Sequence, residues 1–259
     1  MSRNDLPKVL ILTLVKNAID LAATYIANIE RLTYPRGLLS VGILESDSVD
    51  GSDRAYRVVA DALGMKLRRS SFHKRDFGYH LPEGIPRWEP SIQAERRAIL
   101  ARSRNHLLFR ALSDEDWVLW LDVDVIDFQD DLIQVLLSYG KDILQPNCVL
   151  DKEGLSFDKN AWRDHGRHFL SDLRSEGEVV PLHAVGGTAL LVKADLHRDG
   201  LIFPPYFYGD RNTRARQRKE FIETSRFGEI ETEGLGIMAN DMGIRCYGLP
   251  AIEVFHRKK

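Results

Sequence analysis

Two carboxylates follow a short apolar run in the middle of the chain. The run Trp117-Val-Leu-Trp-Leu ends at Asp122, Asp124 follows two residues later, and Asp127 lies just beyond. Alternate side chains of an extended chain share a face, so Asp122 and Asp124 can hold one divalent cation. Such a cation neutralises the charge that a nucleotide diphosphate gathers as it departs. The spacing favours metal-assisted chemistry on a diphosphate substrate, with a solvated surface turn as the alternative.

Three other residues could complete such a site. If the end of the chain folds back, His256 joins Asp122 and Asp124 as a nitrogen ligand, which suits Mn²⁺ better than Mg²⁺. A surface histidine is the alternative. Glu231 and Glu233 open a helical segment, where one of them is expected to be a base or an orienting group at a sugar or acceptor hydroxyl. Carboxylates at a helix start are also common as caps, and the sequence leaves both interpretations open.

Basic and glycine residues suggest contacts with phosphate or sugar. Arg102 and Asn105 share one face of a predicted helix and can reach a diphosphate or a base, unless that face is only solvated. The pair Gly186-Gly187 permits close approach of the backbone to a sugar, although a β-bulge explains it equally well. The basic run at 211–219 is either a solvated loop or a segment that folds over phosphate.

The bulk properties are those of a soluble globular protein. The chain has 259 residues, 44% hydrophobic and 29% charged, which is enough for a full core in one large or two small domains. A net charge of -2 argues against a nucleic-acid surface. Cys148 and Cys246 lack metal-type spacing and are predicted to be core thiols, with a bridge between them left open. The apolar run at 9–15 is too short for a signal or membrane segment, so a chain that truly starts at Met1 is expected to be cytoplasmic.

The periodicity predicts alternating strands and helices, and hence an α/β fold with a mostly parallel central sheet. Strands are predicted at 9–15, 38–44, 65–69, 117–121, 142–147, 184–192 and 246–255, and helices at 16–32, 51–63, 91–112, 130–139 and 231–242. Ser91 is the predicted cap of the third helix. The segments 72–90 and 151–179 are predicted loops, the second lying over the site. Open α/β sheets bind ligands at the carboxyl ends of their strands, where Asp122 and Asp124 would stand.

Several motifs occur together in one order. They are Leu10-Ile-Leu-Thr13 with Lys16-Asn17, Leu32-Thr-Tyr34-Pro35-Arg36, Arg96-Arg97 through Arg102-Ser-Arg104-Asn105, Leu119-Trp-Leu-Asp122-Val-Asp124, Val185-Gly186-Gly187-Thr with His197-Arg198-Asp199-Gly200, and Ile230-Glu231-Thr-Glu233-Gly234 with Tyr247-Gly-Leu-Pro250 and His256. In this order they resemble glycosyltransferase family 62, the α-mannosyltransferases of the fungal mannan backbone. The match spans nearly the whole chain.

The resemblance implies a Rossmann-like GT-A glycosyltransferase fold in one catalytic domain over 1–259, with a nucleotide-binding half at about 1–127 and an acceptor-binding half at about 128–259. It implies GDP-mannose as donor, Mn²⁺ or Mg²⁺ as cofactor, a glycan acceptor, and retention of the α configuration. It also implies homo- or hetero-oligomers with related transferase subunits. Members of the family carry a membrane-anchored stem and work in the Golgi lumen, whereas this chain begins almost at its first strand and carries an insertion at about 208–227.

The resemblance also assigns roles to residues. Asp122, Asp124 and His256 would bind the metal, and Asp122 would belong to the catalytic group with Glu231 and Glu233. Further residues would form the donor pocket, namely Thr13, Glu45 and Asp47 around the nucleotide, Arg102 and Asn105 near the phosphates, and Gly186 and Gly187 near the sugar. Two other functions remain open, a non-catalytic nucleotide-sugar-binding subunit and, less favoured, a phosphohydrolase that forms an aspartyl phosphate on the Asp-x-Asp motif.

Overall fold

The computed structural model describes residues 6–209 and 228–258. Its strands are β1 (Val9–Val15), β2 (Leu39–Glu45), β3 (Arg69–Lys74), β4 (Trp117–Leu121), β5 (Val125–Phe128), β6 (Ile143–Val149), β7 (Trp162–Arg163), β8 (His168–Phe169), β9 (Val180–Leu182), β10 (Ala189–Lys193) and β11 (Cys246–His256). Its helices are α1 (Ala22–Arg31), α2 (Ser52–Gly64), α3 (Pro90–Ala111), α4 (Leu132–Ser138), α5 (Ala194–Arg198) and α6 (Glu231–Asp241). Short 3-10 turns lie at Ile19–Leu21, Arg36–Leu38 and Leu170–Glu176. No helix within these ranges is both long and apolar enough to cross a bilayer.

Nine of the described strands form one large sheet in the order β3-β2-β1-β4-β10-β6-β11-β5, with β9 also paired to β11. Strands β1, β2, β3, β4, β6 and β11 run in one direction, while β5, β9 and β10 run against them. Strands β7 and β8 pair separately as a hairpin. The prediction of an α/β fold with a mostly parallel sheet is confirmed.

Helices cover both faces of the sheet. In β1, Val9 and Ile11 face a core that includes α1, α2 and α4, whereas Leu10 and Leu12 face a core that includes α3, α5 and α6. Because both faces are buried, the central strands are continuous apolar runs rather than alternating ones. The two cysteines are buried free thiols, which confirms their predicted place in the core.

Helix α3 lies unusually close to the sheet. A β-carbon at Gly42 in β2 would stand 2.7 Å from Leu12 Cδ2 and 2.8 Å from Ala111 Cβ. Only a glycine leaves room for this approach. The close contact fixes the helix against β1 and β2, and its buried face carries Arg104 towards the end of β4.

Several predicted boundaries are wrong. The helix predicted at 16–32 begins only at Ala22, and the strand predicted at 184–192 begins only at Ala189. The strand predicted at 65–69 is β3, which begins only at the end of that range, because the residues after α2 still hydrogen-bond back to the carbonyl of Leu63. Ser91 is not a helix cap, since α3 already begins at Pro90. Proline suits this first position because its missing N–H has no partner there in any helix.

His197 is buried in the core beside Trp120 and Phe203. Its Nδ1 lies 2.7 Å from the carbonyl oxygen of Leu201. Burial lowers the pKa of His197 from 6.5 to about 4, and the hydrogen bond to Leu201 opposes the shift only in part. The imidazole is therefore neutral in the folded protein at neutral pH.

This histidine should make stability depend on pH. Between pH 6.5 and 4 the unfolded chain binds a proton at His197 that the folded protein excludes. The contribution of the neutral His197 to the free energy of unfolding is therefore complete above pH 6.5. It declines as the pH falls below that value, by about 1.4 kcal/mol per pH unit. We expect His197→Leu to lose this slope, measured by urea unfolding between pH 7 and pH 5. If the unfolding free energy of the variant changed with pH as steeply as that of the wild type, the assignment of this slope to His197 would be wrong.

Candidate active site

A cavity of about 420 Å³ opens where β4 ends, beside the first half of α3. Its size falls in the range of small-ligand sites. Its charged lining consists of the cations Arg87, Arg96, Arg97, Arg104 and Lys159, the carboxylates Asp122, Asp158 and Glu231, and His256. The excess of cations suits an anionic ligand, and the carboxylates lie together at the end of β4.

Arg104 joins two of these carboxylates at the base of the cavity. It is only 4% exposed, and its Nη2 lies 3.0 Å from Asp122 Oδ1 while its Nε donates to Glu231 Oε1 at 2.7 Å. Burial acts to lower the pKa of Arg104, but the two carboxylates outweigh it and raise the pKa. The same guanidinium helps to hold the pKa of Glu231 below its usual range against the effect of burial. These three charges form one interdependent group.

Asp122 responds differently from Glu231. Its side chain keeps 31% of its surface exposed in the cavity, yet the surrounding protein raises its pKa to about 6. Burial is the main cause, Arg104 opposes it, and the neighbouring charge of Asp124 adds to it. Two carboxylates this close repel each other, and a cation between them would relieve that repulsion.

Asp124 contacts the far end of the chain. His256 Nε2 lies 3.0 Å from Asp124 Oδ2, and the backbone N–H of Arg257 donates to the carbonyl of Asp124 at 2.9 Å. The pairing of β11 with β5 produces this meeting, since His256 lies opposite Val125. Sequence spacing alone could not show that Asp124 and His256 meet, and the structure places them in contact.

The geometry of His256 calls for a positive charge between it and Asp124. Its Nδ1 lies 2.8 Å from the carbonyl of Arg257, so that nitrogen carries the proton and donates it. In a neutral ring, Nε2 would then direct a lone pair at the carboxylate. A proton or a metal ion must fill that position, and in the metal-free chain Asp124 accordingly raises the pKa of His256 against the effect of burial. Metal-binding histidines commonly donate their other N–H to a carbonyl in this way.

The predicted three-residue metal set is only partly assembled. Asp124 and His256 touch, but Asp122 is turned to Arg104. Over residues 6–209 and 228–258, no group of three His, Cys, Asp or Glu side chains is already arranged as a metal site. The oxygen and nitrogen donors nevertheless fit Mn²⁺, with Asp124 and His256 as the preformed contacts and Asp122 as the nearby third carboxylate.

The glycine pair accommodates protein side chains. A β-carbon at Gly186 would lie 1.9 Å from Asp158 Oδ2, and one at Gly187 would lie 2.2 Å from Arg104 Nη2. Asp158 also accepts the Thr188 hydroxyl at 2.7 Å. The groups that approach the two glycines closely in this structure are Asp158 and Arg104, and of the pair only Gly187 lines the cavity.

Glu231 and Glu233 separate into different environments. Glu231 lines the main cavity and has a positive φ of 62°, a conformation that is uncommon for this residue type. Glu233 lies outside it, accepts from Trp162 Nε1 at 2.6 Å and pairs with Arg97. Burial raises the pKa of Glu233, and Arg97 opposes that shift. Of the two, only Glu231 stands beside Asp122.

The residues predicted around the nucleotide are engaged within the protein. The Thr13 hydroxyl donates to the carbonyl of Leu121 at 2.8 Å, so it ties β1 to the end of β4. Glu45 accepts from Lys74 at 2.7 Å, and Asp47 accepts from the N–H of Gly78 at 2.9 Å. None of the three lines the cavity. Glu45 and Asp47 hold the loops that follow β2 and β3 at this edge of the sheet.

The predicted phosphate contacts of α3 do not line the cavity either. Arg102 is exposed, and Asn105 exchanges hydrogen bonds of 2.7 and 2.9 Å with the backbone of Phe203. The helix turns Arg96 and Arg104 into the cavity instead. From the sequence, Arg104 was recognised only as part of a motif and received no role. A signal was present, since it falls three residues after the buried Ala101 in the stripe that faces the sheet.

The fold is that of GT-A glycosyltransferases. Among solved structures, the mannosyltransferase PcManGT from Pyrobaculum calidifontis, in complex with GDP-Man and Mn²⁺, superposes with a TM-score of 0.58 over 98% of this chain and 58% of that one. Its sequence identity is 17%, so the likeness is one of fold. The GT-A prediction is confirmed.

The Anp1 family model matches residues 1–173 and 163–207, and the chain belongs to that family. It is 30% identical to the mannan polymerase complex subunit mnn9 of Schizosaccharomyces pombe, over 91% of this chain and 76% of that protein. It is also 30% identical to the MNN9 subunit of Candida albicans, over 98% and 75% respectively. The resemblance to glycosyltransferase family 62 is thus confirmed, and fold and family together are those of a glycosyltransferase.

Proposed function

We propose that this chain is a metal-dependent retaining glycosyltransferase that moves mannose from GDP-mannose to an α-mannoside acceptor. The observation that carries the proposal is the contact of Asp124 with Nε2 of His256, a residue that lines a cavity rich in arginine. The mannose-related part is supported by the names of the relatives, which are subunits of mannan polymerase complexes. The same names support assembly with related subunits.

The cavity offers a place for the donor diphosphate. Arg96 is partly buried, contacts Gln93 at 3.4 Å, and has a pKa lowered by burial and then by the charge of Arg87. Arg87 also approaches Asp124 at 3.9 Å. Two neighbouring guanidinium groups that repel each other would be stabilised by an anion between them. Both would then contact phosphate oxygens.

A bound Mn²⁺ would supply Lewis-acid neutralisation of the departing diphosphate. Asp124 and His256 would hold it, with Asp122 as the third ligand. Arg104 keeps Asp122 and Glu231 in place, and as a buried cation it also adds positive charge near the leaving group. Because Arg104 itself is buried, its preorganised charge is screened less than it would be in water.

The transfer step requires few groups from the protein. The bond from the anomeric carbon to the phosphate oxygen breaks with its electron pair on the oxygen, and the acceptor oxygen bonds to the same carbon. The acceptor proton passes to the departing phosphate on the same face, which retains the configuration. Glu231, paired with Arg104, orients hydroxyl groups in this scheme and does not need to be a base.

The ion pair between Asp122 and Arg104 favours one rival function. A carboxylate already neutralised by arginine is a weaker metal ligand, so a subunit that binds a nucleotide sugar without turning it over has a physical basis. The relatives are named as subunits of complexes, which supports this rival as well. It predicts GDP binding with no transfer by the isolated chain.

Ligand-induced stabilisation should identify the donor. We expect GDP with Mn²⁺ to raise the unfolding free energy by about 2.7 kcal/mol at a hundredfold excess over the dissociation constant. UDP with Mn²⁺, and GDP without metal, should give much smaller shifts in the same urea titrations. Transfer from GDP-mannose to an α-mannoside is then assayed on the same protein.

The outcomes separate the two functions. Stabilisation by GDP and Mn²⁺ together with transfer supports the enzyme, and stabilisation without transfer supports the non-catalytic subunit. Equal stabilisation by GDP and UDP would contradict the choice of donor. A chain that GDP does not stabilise with or without metal would contradict both functions.

A further inference from the structure

A second cavity, of about 200 Å³, lies next to the hairpin of β7 and β8. We call it the hairpin cavity, and its main lining residues are Lys159, Trp162, His165, Phe169, Glu229 and Glu233. Two side chains link it to the main cavity. Lys159 lines both, and Arg97 lines the main cavity while it pairs with Glu233 of the hairpin cavity.

The base of the hairpin cavity is rigid. Trp162 is 5% exposed and packs against Ala184 and Ile237. Its indole N–H donates to Glu233 Oε1 at 2.6 Å, which fixes both the ring and the carboxylate. A tryptophan held in this way presents an apolar surface with one preset polar group beside it.

The tip of the hairpin is held in an unusual conformation. Asp164, His165 and Gly166 have consecutive positive φ values of 53°, 61° and 78°. The N–H of Asp164 donates to His183 Nδ1 at 3.1 Å, and this contact helps to hold the turn. Backbone strain of this kind persists only where surrounding contacts impose it, and it is concentrated at functional sites. The turn brings the His165 ring to 6.2 Å from the ring of Trp162.

The charges and ring surfaces indicate the class of ligand. Two carboxylates, Glu229 and Glu233, are matched by two cations, the ammonium group of Lys159 and the guanidinium of Arg97, which pairs with both carboxylates. Charges that are already matched favour a neutral ligand over an anion such as a sugar phosphate. Carboxylates accept short hydrogen bonds from hydroxyl groups, and the faces of aromatic rings pack against C–H groups. A neutral sugar ring offers hydroxyl groups to the carboxylates and C–H groups to the aromatic rings.

We propose that the hairpin cavity binds one neutral sugar unit of the acceptor glycan, next to the unit that reacts in the main cavity. This inference rests on the proposed function and adds where the acceptor is recognised. Arg97 is a positioning residue between the two cavities, since it fixes Glu233 from the side of the main cavity. His165 and Glu233 contact the hydroxyl groups of the bound sugar.

The test compares two histidines of one hairpin. His165→Asn removes the ring that lines the cavity, and asparagine tolerates the left-handed backbone found at that position. His168→Asn is the matched control, because His168 is 46% exposed and does not line the cavity. The probe is an α-linked mannobiose, with its affinity measured by NMR titration in the presence of GDP and Mn²⁺. Urea midpoints establish that all three proteins are folded.

We expect His165→Asn to bind mannobiose at least about tenfold more weakly, which corresponds to about 1.4 kcal/mol. His168→Asn should bind it like the wild type, and GDP affinity should be the same in all three. If the chain binds mannobiose but transfers nothing, the same loss in His165→Asn still supports this site while the enzymatic proposal fails. Equal mannobiose affinity in both variants, no binding to the wild type, or tighter binding of mannose 6-phosphate would overturn it.

Discussion

Asp124→Asn should lose sugar transfer by about 100- to 1,000-fold while the protein stays folded. The substitution keeps the shape of the side chain but removes the charge that faces His256 Nε2. Without that charge the imidazole loses its anionic partner, and any metal between the two groups loses an anionic ligand. The measurements are kcat and KM for GDP-mannose at several Mn²⁺ concentrations.

The matched control is Asp127→Asn, three residues further on in β5. Asp127 is 65% exposed and pairs with Arg31, so it lies outside the cavity. We expect its activity and Mn²⁺ dependence to equal those of the wild type. If Asp124→Asn retained full activity, or if both variants lost it equally, the role given to the contact with His256 would be wrong.

Arg104→Met should destabilise the protein by about 3–5 kcal/mol. Methionine fills much of the same volume, but it leaves Asp122 and Glu231 facing each other without the buried cation that joins them. Buried carboxylates without a partner are far more costly than buried apolar groups. Urea unfolding monitored by circular dichroism measures the loss.

Arg102→Met provides the comparison within one helix. Arg102 is exposed, so the same substitution two residues earlier should change the unfolding free energy by less than about 0.5 kcal/mol. Losses of similar size at the two positions would show that helix propensity explains the effect and that the ion pairs do not. A small loss at Arg104 alone would mean that water solvates the two carboxylates.

The strand that carries Asp122 and Asp124 was predictable because a short apolar run followed by polar residues marks a buried strand that ends at the edge of a sheet. The meeting of His256 with the two carboxylates could be predicted only from the family resemblance, because no local feature of β11 indicates that its end pairs with β5. The buried position of Arg104 could be predicted from the helical spacing of its neighbours. Its role was overlooked because an arginine within an apolar helical stripe is easily assigned to the solvated side.

Other features depend on contacts between distant segments. Asp158 lies in a segment without periodicity, and only the fold brings it against Thr188 and Gly186. Thr13 was expected near the nucleotide, but its hydroxyl is used between strands. Whether a buried polar group serves the ligand or the scaffold is decided by its neighbours in space. The basic run at 211–219 lies outside the described residues.

The fit of Arg104 against Gly187 restricts how this site can change over time. An alanine at 187 would collide with the guanidinium of Arg104. A shorter residue at 104 would leave the carboxylates of Asp122 and Glu231 without their cation. Either replacement is therefore harmful if it comes first. Only a simultaneous exchange, or an earlier loss of one acid, opens a route to another arrangement. The two positions are therefore expected to be inherited together, each one conditional on the other.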